Sequence, residues 1–173
     1  MGAVGGSPVN VEIERKFLVR NDDWRGQITG RVELRDGLLA SASGRKVRVR
    51  ASGDTATLTV KGVRRGMARD EFEYAIPIAD ANELLLRHCD GNIFEKTRFY
   101  VPFAGYTWEV DVYRGLLDGV VIAELELPHA EAAFVRPHWI GDEVTFDQQY
   151  RKLTMFKRRM AEQKVASGVG TSA

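Results

Sequence analysis

Apolar and polar positions alternate with a period of two in one segment of this chain after another. Over residues 11–19, Val11, Ile13 and Phe17 fall on one face and Glu12, Glu14 and Lys16 on the other, the pattern of a β-strand. The alternation recurs over 46–50, where Lys46, Arg48 and Arg50 share a face, and over 55–61, with Thr57, Thr59 and Lys61 against Leu58 and Val60. Over 69–76, Arg69, Glu71 and Glu73 oppose Phe72, Tyr74 and Ile76, and over 94–101 Lys96, Arg98 and Tyr100 share a face. Residues 107–113 set Glu109, Asp111 and Tyr113 against Trp108, Val110 and Val112, and 121–127 set Glu124 and Glu126 against Ala123, Leu125 and Leu127. A further strand, 31–39, is read as broken at Asp36-Gly37, a turn-forming pair.

Helical signals are fewer. Asn21-Asp22-Asp23-Trp24 predicts a short helix or turn. Residues 80–89 predict a helix with Asp80 as cap, Glu83 completing a capping box, and Gly91 as the stop. The linker 128–141 is read as holding a short helix. Residues 148–164 predict a final helix with Tyr150, Leu153, Phe156 and Met160 on one side and Arg151, Lys152, Lys157, Arg158 and Arg159 on the others; its terminal basic run complements the helix dipole and solvates the surface.

The charged faces sum to Glu12, Glu14, Glu71, Glu73, Glu109, Asp111, Glu124 and Glu126 against Lys16, Lys46, Arg48, Arg50, Lys61, Arg69, Lys96 and Arg98. Alternate residues of a strand stand about 6.7 Å apart, so such rows suit a hydrated cation beside an anion, as in a metal-bound polyphosphate. Two architectures satisfy the pattern: an open sheet with a wet charged face, or a closed barrel with a charged interior and its apolar face under helices. Periodicity does not separate them. Closure abolishes exposed sheet edges, whereas the shortage of helices leaves an outward apolar face poorly covered.

Composition narrows the function classes. With 173 residues the chain is long enough for one domain and a real core. Its 25 basic and 24 acidic residues give no global basic field, which argues against a nucleic-acid partner. Cys89 is alone, so no internal disulfide forms and a reducing, cytoplasmic setting is expected. His88, His129 and His138 do not stand at zinc-ligand spacing with it. No apolar run reaches membrane-spanning length, and residues 1–10 lack the regions of a signal peptide. No membrane partner is therefore expected. Residues 1–8 and 165–173 are read as disordered tails around a single domain, 9–164, and Trp24, Trp108 and Trp139 as packing residues.

The segments EIERKFLV, RVR, LTVKG, RDEFEYAIP, EKTR, WEVDVY, VIAELELP and WIGDEVT, in that order, resemble the CYTH or triphosphate tunnel metalloenzyme family over about residues 9–153. The resemblance implies an α+β, mostly β fold: a closed eight-stranded antiparallel barrel forming a tunnel, with helices packed outside. It further implies that Lys16, Arg48, Arg50, Lys61, Arg69, Lys96 and Arg98 cradle a triphosphate, and that Glu12, Glu14, Asp111, Glu124 and Glu126 face a magnesium or manganese ion. Lys16, Glu109 and Asp111 are the implied catalytic set. Arginine offers forked contacts and lysine a point charge to such an anion. One departure stands out: bacterial relatives often carry a tyrosine in an RQGYL-like segment where this chain has Arg35-Asp36-Gly37-Leu38-Leu39.

The function implied is metal-dependent hydrolysis of a triphosphate, inorganic triphosphate first, by in-line attack of water. Alternatives of the same class are a class IV adenylate cyclase and a thiamine or nucleoside triphosphatase; one of another class is a non-catalytic polyphosphate-binding module. A binding module gains nothing from so many carboxylates facing its anion. The expected partner is a small anionic substrate, and a homodimer is a further open expectation.

Overall fold

A computed structural model describes residues 11–168 of the chain. The sequence-read tail over 1–8 lies outside that range, as do residues 169–173 of the C-terminal one. Among the described residues nine strands form: β1 (Val11–Val19), β2 (Gly30–Ala42), β3 (Arg45–Ser52), β4 (Thr55–Lys61), β5 (Ala68–Ala75), β6 (Ile93–Phe103), β7 (Tyr106–Tyr113), β8 (Val121–Glu126) and β9 (Ile140–Glu143). Two α-helices accompany them, α1 (Ile78–His88) and α2 (Lys152–Gly168).

The strands close on themselves. Neighbours run β1-β5-β4-β3-β2-β6-β7-β8 and back to β1, all antiparallel, so the fold is an eight-stranded barrel. Closure rests on a short ladder in which Val11, Glu12 and Ile13 face Asp70, Arg69 and Ala68. Farther along β1, Phe17 and Val19 pair with β9 instead. The edge that β5 is too short to cover is thereby filled, as an unpaired edge requires.

β2 runs unbroken through Asp36-Gly37, correcting the expected break. Gly37 is not a turn residue: a Cβ there would collide with Cys89 Sγ and stand 2.7 Å from Leu85 Cδ2. Glycine at this point lets α1 lie directly on the barrel wall. The helix itself starts at Ile78, after Pro77, with no side-chain cap. Proline fixes the backbone for helix entry, so the expected capping box is not formed and Asp80 sits in the first turn, where its charge suits the dipole.

The linker 128–141 holds turns and the start of β9 rather than a helix. Pro128 and Pro137 leave too short a run between them for a stable helix, and Ala132, Phe134 and Trp139 are used instead to pave the outer wall. At the C-terminus, Gln148–Tyr150 forms a 3-10 turn and α2 follows through Gly168, four residues into the segment read as tail.

The outward faces are buried in two clusters. Phe17, Trp24, Val101, Trp108, Val110, Leu125 and Trp139 pack beneath the linker, with all three tryptophans fully buried. Val49, Ala51, Ala56, Ala81, Leu85 and Cys89 join α1 to β2–β4. Linker and helix together cover the apolar exterior that helices alone could not. A third cluster lies at one end of the barrel, where Leu38, Leu18, Phe94, Tyr113 and Ile122 meet Met155 and Phe156 of α2. Met155 is the buried anchor, while Met160, expected on that side, is 39% exposed. Helix α2 thus caps the barrel. No helix among the described residues is long and apolar enough to cross a membrane.

Candidate active site

Strand register fixes which side chains share the interior. The facing pairs Glu12–Arg69, Lys61–Glu71, Arg48–Thr59, Arg50–Thr57, Asp36–Arg50, Leu34–Lys96, Arg98–Asp111, Glu109–Glu124, Lys16–Glu124 and Glu14–Glu126 run around the whole ring. In a pleated sheet, directly opposed residues lie on the same face. The implied cradle cations, metal-facing carboxylates and Glu109 therefore all stand on the inner wall.

The most buried part lies on β1, β6, β7 and β8. Lys96 and Asp111 are 1% and 0% exposed and ion-pair directly. Arg98 grips Asp111 through Nε at 2.7 Å and Nη2 at 2.8 Å, and reaches Glu124 at 2.7 Å. Lys16 bridges Glu124 and Glu14, the latter at 2.8 Å. Burial opposes ionisation of Glu124, but Lys16, Lys96 and Arg98 outweigh it and hold its pKa well below the ordinary carboxylate range. Burial drags Lys96 down to about 7; Asp111 only partly offsets that, and Lys152 and Arg98 add repulsion. Burial also raises Glu109, against the opposing charge of Arg98, which ion-pairs with it, and with repulsion from Glu124 and Asp111 adding to the rise.

The opposite wall is organised around Glu12, which accepts from Arg69 at 2.5 Å and from Lys61 at 3.0 Å. Lys61 also meets Glu71 at 2.5 Å. Arg48 donates to Thr59 at 3.0 Å and to Glu73 at 3.3 Å. Each cradle cation thus carries a carboxylate partner, so the wall holds its charges in place at low dielectric cost.

One interior acid escaped the sequence reading. Asp36, 2% exposed, accepts Arg50 Nε at 2.6 Å and Nη2 at 2.9 Å, and Lys152 Nζ of α2 stands 3.3 Å away. Its Asp-Gly context imitates a turn. Along β2 the usual pattern is inverted: Val32, Leu34, Asp36 and Leu38 face inward, and Arg31, Glu33 and Arg35 outward. The signal available was the same alternation, read one residue out of phase. Leu38, where relatives often have tyrosine, belongs to the apolar layer under α2.

The donor set fits a hard divalent cation, being all carboxylate. Glu14 and Glu126 oppose each other directly, as do Glu109 and Glu124; Arg98 bridges Glu109 and Glu124 and Lys16 meets Glu14, so among these acids it is Glu126 whose repulsion by its neighbour no side-chain cation offsets directly. Glu14 Oε1 is buried with Lys16 Nζ, 2.8 Å away, as its charged contact, and Glu126 makes no ion pair among the described residues. Among those residues no three acids, histidines or cysteines already converge on one point, because Glu12 and Glu124 are drawn onto the cations. A cavity of about 240 Å³, lined by Val32, Arg50, Thr57, Arg98, Tyr100 and Glu109, opens the interior away from α2.

Residues 10–158 match the CYTH domain model. An inorganic triphosphatase of Acetivibrio thermocellus is 44% identical over 146 residues, 84% of this chain and 93% of that protein. An inorganic triphosphatase of Nitrosomonas europaea is 35% identical over 144 residues, 81% and 93% of the two chains. The crystal structure of an inorganic triphosphatase superposes with a TM-score of 0.61 at 31% identity, covering 87% of this chain and 96% of that one. A Pyrococcus horikoshii protein shares the fold alone, with a TM-score of 0.55 at 18% identity over 69% of this chain and 79% of its own.

Proposed function

Because the chain belongs to the CYTH domain family, we propose that it is a divalent-metal-dependent inorganic triphosphatase, yielding orthophosphate and pyrophosphate. The observation that carries this is the sharing of one closed interior by opposed carboxylate pairs and a ring of lysines and arginines. A lone anion site has no use for the carboxylates, and a lone metal site none for the cations.

Arg48, Arg50, Lys61, Arg69, Lys96 and Arg98 hold the triphosphate, and Lys16, bridging Glu14 and Glu124, stands between phosphate and metal ligands. Glu14, Glu124 and Glu126 would hold the metal, magnesium or manganese, with Glu12 and Asp111 beside them; when bound it supplies charge neutralisation on the phosphate oxygens. Water attacks the terminal phosphorus in line, the bond to the bridging oxygen breaks, and pyrophosphate leaves. Glu109 takes the water's proton. Burial raises its affinity for protons against the pull of Arg98, which meets only its Oε2, whereas both oxygens of Asp111 are engaged by Lys96 and Arg98.

The test is phosphate release from inorganic triphosphate, ATP and thiamine triphosphate side by side, with and without magnesium or manganese. Fast, metal-dependent release from inorganic triphosphate is expected. Faster release from either organic triphosphate, or none from any, would reject the substrate assignment.

A further inference from the structure

Three cations at the capped end of the barrel stand outside its ion pairs. Lys46 stands at the start of β3, facing Lys61 across the β3–β4 ladder. Arg64 lies in the excursion between β4 and β5, which is pinned by Gly62 N to Asp70 O at 2.8 Å and Arg65 N to Ala68 O at 2.8 Å. Arg151 immediately precedes α2, and its carbonyl accepts the helix bond from Met155 N at 2.9 Å. None of the three makes an ion pair within 4 Å among the described residues, in contrast to the paired cations deeper in the barrel.

The three segments converge. Val63 packs over Gly44 of the β2–β3 turn, bringing Arg64 beside the strand that carries Lys46. Lys46 lies within the electrostatic reach of Arg69, Arg151, Lys152 and Lys16, and Arg64 within that of Arg69, Glu14, Glu12 and Arg151. Burial and the neighbouring cations push both Lys46 and Arg64 down from their ordinary values, with Glu14 and Glu12 offsetting part of the effect on Arg64. Arg64 Nη1 is buried with no hydrogen-bond partner, an arrangement that is costly unless an acceptor arrives. The N-terminus of α2, flanked by Arg151 and Lys152, adds its partial positive charge.

We propose that Lys46, Arg64 and Arg151 form a second anion subsite, which grips a phosphoryl group beyond the three held by the barrel cations. The proposal rests on the triphosphatase reading. The ligand is a tetrahedral phosphoryl oxyanion, and two sources fit it: the fourth phosphate of a longer inorganic polyphosphate, or orthophosphate released by the reaction. Lysine and arginine together suit such a group, a point charge beside a forked donor.

The test is isothermal titration in EDTA, so that nothing turns over, of the full chain and its Lys46→Gln/Arg64→Gln/Arg151→Gln variant. The probes are tripolyphosphate, tetrapolyphosphate, and orthophosphate added to protein saturated with tripolyphosphate. If the subsite takes the chain end, the parent binds tetrapolyphosphate at least about tenfold more tightly than tripolyphosphate, the scale of one charge-assisted contact. The variant then binds the two alike, with tripolyphosphate affinity changed by less than about threefold. If it takes released phosphate, orthophosphate binds the saturated parent and not the variant. Either result supports the subsite. It is overturned if the variant keeps the parent's ratio and the parent's orthophosphate binding. Should tripolyphosphate not bind the parent without metal, orthophosphate alone judges the corner, by its loss or retention in the variant, while metal-dependent phosphate release judges the triphosphatase reading separately. Should the triple variant melt early, Arg64→Gln alone carries the same comparison.

Discussion

Asp36 takes both forks of Arg50 across the β2–β3 pair, at 2.6 and 2.9 Å, from a position only 2% exposed to solvent. Lys152 of the capping helix leans on the same carboxylate at 3.3 Å. One buried acid therefore fixes Arg50, proposed to hold phosphate, and ties α2 to the barrel wall.

Replacing it tests that role. Asp36→Asn leaves two half-buried cations, Arg50 and Lys152, without their carboxylate and is expected to lower unfolding stability at pH 7 by about 2 kcal/mol. Burial raises the Asp36 pKa, but Lys152 and Arg50 overcome it and hold the folded pKa well below the ordinary value. Its stabilisation is thus present above about pH 4 and lost as pH falls below that. Denaturant unfolding across pH 2–7 should show a shallower acid limb in the variant; parallel limbs would remove Asp36 from the ion-pair network. The same geometry complicates Arg50→Ala as a probe of phosphate binding, since that change also strands Asp36. Arg50→Lys keeps the charge, and its KM for triphosphate should rise about tenfold through loss of the fork.

Lys96 gives the opposite pH signature. Its folded pKa of about 7 lies below the unfolded lysine's value near 10.4. Between those values the unfolded chain binds the extra proton, so stability rises with pH. The thermal midpoint is expected to climb from pH 7 to 9 and to lose most of that slope in Lys96→Met. An equal slope in both proteins would assign the effect elsewhere.

Gly37→Ala tests how α1 is seated. The added methyl collides with Cys89 and Leu85, and overpacking of this kind costs about 1–3 kcal/mol. Stability should fall by that amount with tripolyphosphate binding at low temperature unchanged, because the contact lies on the outer wall. Unchanged stability would mean the helix sits off the strand.

Glu126→Gln isolates the metal-side acids. Glu126 is exposed and makes no ion pair among the described residues, so stability should stay within about 0.5 kcal/mol of the parent. Turnover should fall by about tenfold or more through weaker metal binding, with partial recovery at high manganese. Full activity would remove Glu126 from the site.

Most of the barrel was legible because its strands alternate cleanly. Where Lys16, Arg98 or Glu124 sits two residues from the next charge, period two alone assigns it to the face that became the interior. Closure was not legible this way, since an open sheet shows the same alternation; it depends on the pairing of Glu12 with Arg69 at opposite ends of the strand series. β2 was misread because Asp36-Gly37 carries a strong local turn signal that the approach of α1 overrides. The linker helix failed for a related reason: local preference around Ala130 and Ala133 yielded to the wall that Phe134 and Trp139 cover. The role of Lys152 was hidden because a basic helix start looks like a solvated surface until the barrel end beneath it is known.

The decisive measurement is phosphorus-31 NMR of inorganic triphosphate incubated with the protein, in EDTA and then with magnesium or manganese in excess. Orthophosphate and pyrophosphate should appear in equal amounts only after metal is added, and neither should appear with Glu124→Gln. Persistence of the triphosphate signals in the presence of metal, with the protein folded and the ligand bound, would contradict hydrolysis and leave a barrel that only binds its anion.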